Sequence, residues 1–210
     1  MKAAEKANPR PDDPDLAWKE FGGKEEVRKR LSEIQMGLCA YCEIRLSKEI
    51  GLHIDHIKPK TRCPEKTFYW SNLLLSCIAA EKLEKLKDSD KCCGHFKLKA
   101  WDEQMLLPTD EDCEKFFIYL KSGEIELADN LTPDEKKRGK LAIDILNLNG
   151  CSRLKRERNE IIEIFIKQLD SVSDCQKARE IFINSELFPT NGKLKSFVTA
   201  KKQRVAEYQT

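Results

Sequence analysis

The apolar positions near the start of the chain follow a helical pattern after a polar opening. The first 15 residues are polar and contain three prolines, which predicts an extended leader that we place at residues 1–23. Val27, Leu31 and Ile34 then recur at spacings of three and four residues, as on one face of an amphipathic helix. We therefore predict a helix that ends before Gly37, since glycine readily takes the left-handed conformation of helix ends.

A segment in the middle of the chain has the pattern of a β-hairpin. Residues 115–120 and 124–128 flank the turn residues Lys121-Ser122-Gly123. A short glycine-containing turn between two apolar runs is typical of a hairpin.

Helical spacing dominates the rest of the chain, and we predict a C-terminal helical region over 131–210. Thr132-Pro133-Asp134-Glu135 is a capping box with proline at the first helical position, and Ser173-Asp174-Cys175-Gln176 has the pattern of a second. Between the two boxes the apolar residues share one face: Leu154, Ile161, Ile162, Phe165, Ile166 and Leu169. The fold class is thus α+β and predominantly helical, with residues 24–130 as the domain that carries the candidate chemistry.

Composition restricts the class of protein. The chain has 210 residues, of which 40% are hydrophobic and 35% charged, a balance typical of a soluble globular protein. We find no apolar run of about 18 residues and no secretory signal at the start, so we expect a cytoplasmic protein without membrane spans. The formal charge of only +2 argues against tight nonspecific coating of DNA, although a local basic patch suffices to hold phosphate.

Cysteine spacing predicts a metal site. The count of nine is odd, which disfavours a complete disulfide framework, and clustered cysteines in a reducing compartment more often bind metal. Cys39 and Cys42 form a C-x-x-C, and Cys77, Cys92 and Cys93 follow. Two cysteines before and two after the intervening segment can make a closed tetrahedral zinc site with four thiolate ligands.

All three histidines fall within the same cysteine-rich segment. Alternation around Ile54 predicts a short strand that points His53 and Asp55 to one side and His56 to the other, unless the strand ends there. The Asp-His pair suits hydrolysis, since aspartate offers Mg²⁺ a hard oxygen and neutral histidine can take a proton from water. A pair held only by structural hydrogen bonds is the alternative for the dipeptide alone.

The order of these motifs resembles the HNH endonucleases. Four pieces carry the resemblance across residues 30–110: C-A-Y-C, then H-I-D-H-I-K-P-K, then W-S-N-L-L-L-S-C, then C-G-H-F-K. More narrowly, they are similar to the PtuB proteins of the Septu anti-phage system and of some retron cassettes. A weaker echo, L-N-L-N at residues 146–149, lies in the helical region.

The resemblance implies a ββα-metal (HNH) finger in which two short strands and a helix grip one catalytic metal, Mg²⁺ or Mn²⁺. It implies that Asp55 is the metal-binding acid and His56 the general base that activates water. It further implies that Asn72 fixes the loop bearing the base and that His95 is the second metal ligand. Structural Zn²⁺ would be held by four cysteines beside this finger.

The chain departs from the family pattern in two places. Many relatives have a second C-x-x-C, whereas the partner of Cys77 is displaced past a polar insert. We favour Cys93 over Cys92 as that partner, because the Cys-Gly-His-Phe-Lys unit gives the closer match. Gly94 follows the final cysteine, where many relatives have histidine or asparagine.

Several further side chains are candidates for the same site. His53 could ligate the metal, contact phosphate or pack in the core. Lys58, Lys60 and Lys97 could contact phosphates, which positions a strand without specifying its sequence. The aromatic residues Tyr41 and Trp70 could stack on bases, but aromatics beside zinc cysteines more often pack the knuckle, and we expect packing.

These observations predict a nuclease, with a non-catalytic zinc-stabilised nucleic-acid or protein-binding module as the alternative. A zinc deaminase is excluded, because its His-x-Glu precedes the Pro-Cys-x-x-Cys and this chain has the reverse order. The residues do not distinguish a DNA substrate from RNA such as tRNA. The resemblance implies an ATPase partner of the ABC/SMC-like class, called PtuA, and a retron RNA/DNA complex as a further candidate partner. The nuclease would then be the toxic effector of an anti-phage defence system.

Overall fold

The computed structural model describes residues 11–47, 51–78, 83 and 86–208. Its first element is a helix, α1 (Pro14–Glu20), which starts because the Asp13 side chain accepts hydrogen bonds from the next turn's N–H groups. The prediction of an extended leader is therefore wrong over this helix, because an N-cap aspartate followed by proline starts a helix. Residues 1–10 of the predicted leader lie outside the described residues.

The first predicted helix is confirmed as α2 (Lys24–Ile34). The chain then turns at Gly37, which has a φ of 75° and donates its N–H to the Ser32 carbonyl at 2.9 Å. Leu31 is the buried residue of α2 and packs on the sheet described next.

Two antiparallel strands and a short helix form the centre of the cysteine-rich segment. Strand β1 (Leu52–His56) pairs with β2 (Leu73–Cys77), which is buried along its whole length. The register places His53 opposite Ser76 and Asp55 opposite Leu74. Helix α3 (Cys93–Lys97) follows and packs on β2.

The predicted hairpin is confirmed, with shorter strands than expected. Strands β3 (Phe117–Tyr119) and β4 (Ile125–Leu127) pair antiparallel, because Cys113–Phe116 forms a 3-10 turn that removes the start of the first strand. Gly123 in the connecting turn has a φ of 84°. Its Cα also lies so close to the second long C-terminal helix that a Cβ there would be 2.1 Å from the Lys155 carbonyl oxygen.

The C-terminal region is helical, as predicted. Its helices are α4 (Pro133–Ile145), α5 (Ser152–Ser171), α6 (Gln176–Leu187) and α7 (Val198–Tyr208). The capping box of Thr132 and Glu135 is formed at the start of α4.

The second predicted capping box is wrong. Helix α6 begins after Cys175, which has an extended backbone and makes no side-chain cap. Ser173, the expected cap, instead belongs to the turn that ends α5, where its N–H donates to the Asp170 carbonyl at 3.1 Å.

The C-terminal helices pack directly on the cysteine-rich segment. One hydrophobic core contains buried residues from both, from Cys39 to Ala200. The main-chain N–H groups of Phe197 and Thr199 donate to the Glu43 carbonyl at 3.0 Å and to its carboxylate at 2.9 Å. Packing of 131–210 on the remainder is one of the arrangements expected from the sequence, and the division into domains stays a prediction.

The mixed α+β class is confirmed, with helices well in excess of strands. Within the described residues, none of the helices has the length and apolar character needed to cross a membrane.

Candidate active site and cysteine cluster

Four cysteines converge where the two strands meet α3. The thiol sulfurs of Cys39, Cys42, Cys77 and Cys93 all lie within 4.8 Å of one another, and all four residues are buried. The Cys42 and Cys77 sulfurs are 3.8 Å apart. Tetrahedral thiolates bound to zinc at about 2.3 Å are separated by roughly 3.8 Å, so the spacing and the donor set fit such an ion.

The structure also discriminates between the two adjacent cysteines. Cys93 belongs to the convergent group, and Cys92 does not. The Cys92 thiol lies 3.9 Å from that of Cys77 and accepts a hydrogen bond from Arg153 at 3.6 Å, on the side of α5. The expected group of four cysteines is therefore the one that assembles.

An open cleft of about 480 Å³ lies beside this cluster. His53 and Asp55 share one face of β1, as predicted, and both line the cleft with His95. Gly94 lies directly against them, since a Cβ there would be 2.6 Å from His53 Nε2 and 2.9 Å from Asp55 Oδ1. The glycine that departs from the family pattern thus makes room for these two side chains.

The two histidines share one hydrogen-bond acceptor. His53 Nδ1 and His95 Nε2 lie 3.1 and 2.9 Å from the Ile78 carbonyl oxygen, and the ring centroids are 3.8 Å apart. Burial lowers the pKa of His53, and burial together with His53 lowers the pKa of His95 to about 4. Both rings are therefore neutral at pH 7, and because a carbonyl only accepts, each keeps its other nitrogen unprotonated.

Asp55 is held through one of its two oxygens. The Tyr41 hydroxyl donates to Asp55 Oδ2 at 2.6 Å, and the Lys97 ammonium lies 3.3 Å from the same oxygen. Burial and the Asp55 charge raise the pKa of Tyr41 well above its usual value, so the hydroxyl stays a donor. Oxygen Oδ1 is the one that faces Gly94 and the cleft.

The Tyr41 contact was missed by the sequence reasoning, which expected only packing beside the cysteines. Trp70 does pack as expected, against the second hydrophobic cluster around Leu73 and Leu75. Lys97 is 2% exposed and donates to the His56 carbonyl at 2.8 Å. This placement does not support the predicted phosphate contact of Lys97, because its ammonium is enclosed and already bonded.

His56 is the last residue of β1, and it lines the cleft as well. Its Nε2 lies 2.9 Å from the Thr67 carbonyl oxygen, and the Trp18 ring packs against it with the centroids 4.6 Å apart. Burial lowers the pKa of His56 to about 4, so the ring is neutral at pH 7. Nε2 carries the proton in this geometry and Nδ1 is left as the basic nitrogen.

Asn72 holds the loop that carries the His56 contact. Its side chain is 4% exposed, accepts the Lys58 N–H at 2.8 Å, and donates to the Lys58 and Lys66 carbonyls at 3.1 and 3.0 Å. The bonds to Lys58 tie the end of the loop between β1 and β2 to its beginning. The bond to the Lys66 carbonyl fixes the residue directly before Thr67.

The rim of the cleft and its surroundings are cationic. Lys60 and Lys99 line the cleft, and the Lys60 ammonium pairs with Asp15 of α1 at 3.2 Å. The Lys58 ammonium lies outside the lining, 4.5 Å from the centre of the Trp101 ring. The sequence did not indicate Lys99, Asp15 or Trp18 as residues of the site. Asp15 and Trp18 lie in the segment predicted to be an extended leader.

Comparisons with known proteins identify relatives of this chain. No family model matches the chain. The chain is similar to the protein assigned as the HNH endonuclease of retron Vc95 from Vibrio cholerae serotype O1 biovar El Tor. The two are 32% identical over 157 residues, a match that covers 72% of this chain and 71% of that protein. This chain is also 28% identical over 209 residues to the protein assigned as the HNH endonuclease of retron Ec83 from Escherichia coli. That match covers 80% of this chain and 76% of that protein.

A third relative is the Septu protein PtuB of Bacillus thuringiensis, 26% identical over 175 residues. That match covers 83% of this chain but only 59% of PtuB. The two retron relatives point to one class, nucleases of the HNH type. The chain belongs to the HNH endonuclease family of retron and Septu systems.

Proposed function

We propose that this chain is a metal-dependent HNH endonuclease that hydrolyses phosphodiester bonds in DNA, or in RNA such as tRNA. The observation that carries the proposal is that Asp55, His56 and His95 line one cleft with cationic side chains at its rim. A buried carboxylate beside a neutral imidazole is a combination suited to metal-assisted hydrolysis. A non-catalytic module would need the four cysteines but not the Asp-His pair, the spaced asparagine and the further histidine together.

The donor set at the cleft fits a hard divalent cation. Asp55 Oδ1 and the unprotonated nitrogen of His95 would hold Mg²⁺ or Mn²⁺, and His53 lies within reach of the same space. Such an ion supplies charge neutralisation at the phosphate and at the leaving oxygen. Among the described residues the ligand atoms of Asp55, His53 and His95 do not converge as closely as those of the four cysteines.

His56 is the proposed general base. Its Nδ1 takes a proton from the attacking water, while the Thr67 carbonyl holds the protonated Nε2 and so fixes the ring. Asn72 fixes the loop that presents this carbonyl. Lys58 and Lys60 are the proposed phosphate contacts, and Lys60 would exchange Asp15 for a phosphate oxygen.

We propose a structural zinc ion at Cys39, Cys42, Cys77 and Cys93. It would join the loop before β1, the end of β2 and the start of α3 into a ββα-metal finger. Such closed thiolate sites stabilise segments too small to fold on a core of their own.

The relatives' assignment to retron and Septu systems supports a role as the effector of an anti-phage defence system. In this proposal a PtuA-type ATPase holds the nuclease inactive until infection, and a retron RNA/DNA complex is a further candidate partner. Co-purification of this chain with a PtuA-type ATPase tests the first of these. Recovery of no complex under low salt would contradict it.

A cleavage assay tests the activity and names the substrate. The purified chain, alone and with the ATPase, would be incubated with plasmid, single-stranded DNA and total tRNA, in Mg²⁺, in Mn²⁺ or in EDTA. We expect cutting that EDTA abolishes and that added Mg²⁺ or Mn²⁺ restores. His56→Ala and Asp55→Asn should remove it while zinc content and melting temperature stay close to those of the unmodified chain.

The alternative function gives a different result in the same assay. A protein that contains zinc, is folded, and cuts none of the substrates with or without the ATPase would be the non-catalytic zinc-stabilised module. Cutting that survives in both variants would place the activity elsewhere.

A further inference from the structure

A tight turn directly after α3 holds a leucine in a backbone conformation that favours glycine. The Ala100 N–H donates to the Lys97 carbonyl at 2.7 Å, which closes a four-residue turn. Leu98 is its first central residue, with φ 47° and ψ −108°. These are close to the angles of a type II′ turn, roughly +60° and −120°, where glycine is the usual residue.

Burial of the side chain does not explain why a leucine occupies this position of the turn. Its side chain is 68% exposed, the largest exposure among the exposed large hydrophobic residues of the described chain. A strained backbone that presents an apolar group to solvent lowers stability without a packing gain. Strain of this kind is most common at functional sites, and Leu98 lines the cleft that contains Asp55 and His56.

The turn is also fixed relative to the catalytic residues. The Leu98 N–H donates to the Gly94 carbonyl at 3.0 Å, and the preceding residue, Lys97, bonds Asp55 and the His56 carbonyl. The position of Leu98 is therefore set by the groups that position the acid and the base. A side chain so placed is preorganised to meet whatever enters the cleft.

The charges around Leu98 indicate the class of ligand that the cleft would bind. Lys99 follows it, is exposed, and makes no ion pair within the described part of the chain, and Lys60 lines the same cleft. Ammonium groups beside an aliphatic group match a nucleic-acid strand, in which phosphates alternate with the apolar faces of sugars and bases. Inserted leucines pack against base steps in this way in other nucleic-acid-binding proteins.

We propose that Leu98 is a substrate-contacting residue that packs against the base or sugar next to the scissile phosphate. This contact would hold the strand in register with Asp55 and His56. The proposal rests on the proposed endonuclease function and adds to it a contact that the motif residues do not provide.

Leu98→Gly tests the proposal, because it removes the side chain and the strain together. We expect its melting temperature to equal or exceed that of the unmodified chain. We expect kcat/KM to fall about tenfold or more, chiefly through KM, as for the loss of one buried leucine side chain. Leu98→Met, which keeps an apolar side chain of similar volume, should stay within about threefold of the unmodified chain.

Met36→Gly is the matched control. Met36 also has a positive φ, 49°, and is 39% exposed, but it does not line the cleft. Its replacement should leave cleavage and nucleic-acid binding unchanged.

Binding is measured separately, by fluorescence anisotropy with duplex DNA, single-stranded DNA and tRNA in Mg²⁺, on the non-cutting His56→Ala background. Adding Leu98→Gly should weaken binding to the preferred nucleic acid about tenfold. Unchanged binding and cleavage would overturn the proposal, as would a Leu98→Gly variant that loses only the ATPase partner. If the unmodified chain binds nucleic acid but cuts nothing, the proposed endonuclease function is refuted, while the binding comparison still decides the role of Leu98. Binding to none of the three probes overturns both the proposed function and the proposed role of Leu98.

Discussion

Replacing Asn72 by alanine should destabilise the loop that holds His56. The alanine removes three hydrogen bonds, at 2.8, 3.1 and 3.0 Å, from a side chain that is 4% exposed. At about 1 kcal/mol for each bond, the free energy of unfolding should fall by about 3 kcal/mol. For a domain of this size each kcal/mol lowers the melting temperature by about 2–4 °C, which gives a decrease of about 6–12 °C.

Activity should fall further than stability alone requires. The loop presents the Thr67 carbonyl that fixes His56, and a displacement of about 1 Å at a catalytic group can reduce the rate about 10²-fold. Cleavage is therefore measured well below the melting temperature of the variant. Asn72→Asp keeps the acceptor for the Lys58 N–H but loses both donors, so it should retain only a minor part of the stability.

The matched control is Asn184→Ala, since Asn184 is exposed on α6. It should change the free energy of unfolding by no more than about 0.5 kcal/mol. Scanning calorimetry in the presence of zinc measures all three variants. If Asn72→Ala melts within about 2 °C of the unmodified chain and cuts at the same rate, the three bonds do not hold the loop and the reasoning is refuted.

Three further results are expected. Cys93→Ser should lose the bound zinc measured by elemental analysis and Cys92→Ser should keep it; equal loss in both would contradict the assignment of the cluster. Tyr41→Phe should raise the Mg²⁺ concentration for half-maximal cleavage about 10-fold or more, as for other partners of metal-binding groups, and an unchanged Mg²⁺ dependence would exclude this role. Glu186 is buried and bonded to two lysines, which hold its pKa below the usual value although burial alone would raise it. Its contribution is complete above the unfolded-state pKa of about 4.3 and is lost as pH falls through the lower folded-state pKa. Glu186→Gln should therefore lower the free energy of unfolding by about 1–2 kcal/mol at pH 7 in denaturant titrations, and the difference should shrink toward pH 3; a constant difference would refute the linkage.

The sequence was informative where the signal is local. The alternation around Ile54 correctly placed His53 and Asp55 on one face of a strand, because side chains alternate with a period of two. The glycine-containing turn at 121–123 predicted the hairpin for a similar reason. The group of four cysteines followed from spacing and motif, because a tetrahedral site needs two pairs of ligands separated by a connecting segment.

The contacts that were missed depend on how distant segments meet. Lys97 is an example, since a lysine near a catalytic motif is expected at the surface. It is buried because its three N–H donors face three acceptors: Asp55 Oδ2 and the carbonyls of His56 and Ile57. That match arises only when α3 packs beside the end of β1, which no periodicity in the sequence indicates. The strained turn at Leu98 directly follows Lys97 along the chain.

Tyr41 and Lys97 also explain how the cysteine cluster can influence a cleft that its sulfurs do not line. Tyr41 stands between Cys39 and Cys42, and Lys97 stands four residues after Cys93. Both side chains reach the same oxygen of Asp55. Whatever holds the four cysteines together therefore also fixes which oxygen of Asp55 is occupied and which one faces the cleft. The orientation of the proposed metal-binding acid is thus linked to the cysteine cluster through two hydrogen-bonding side chains.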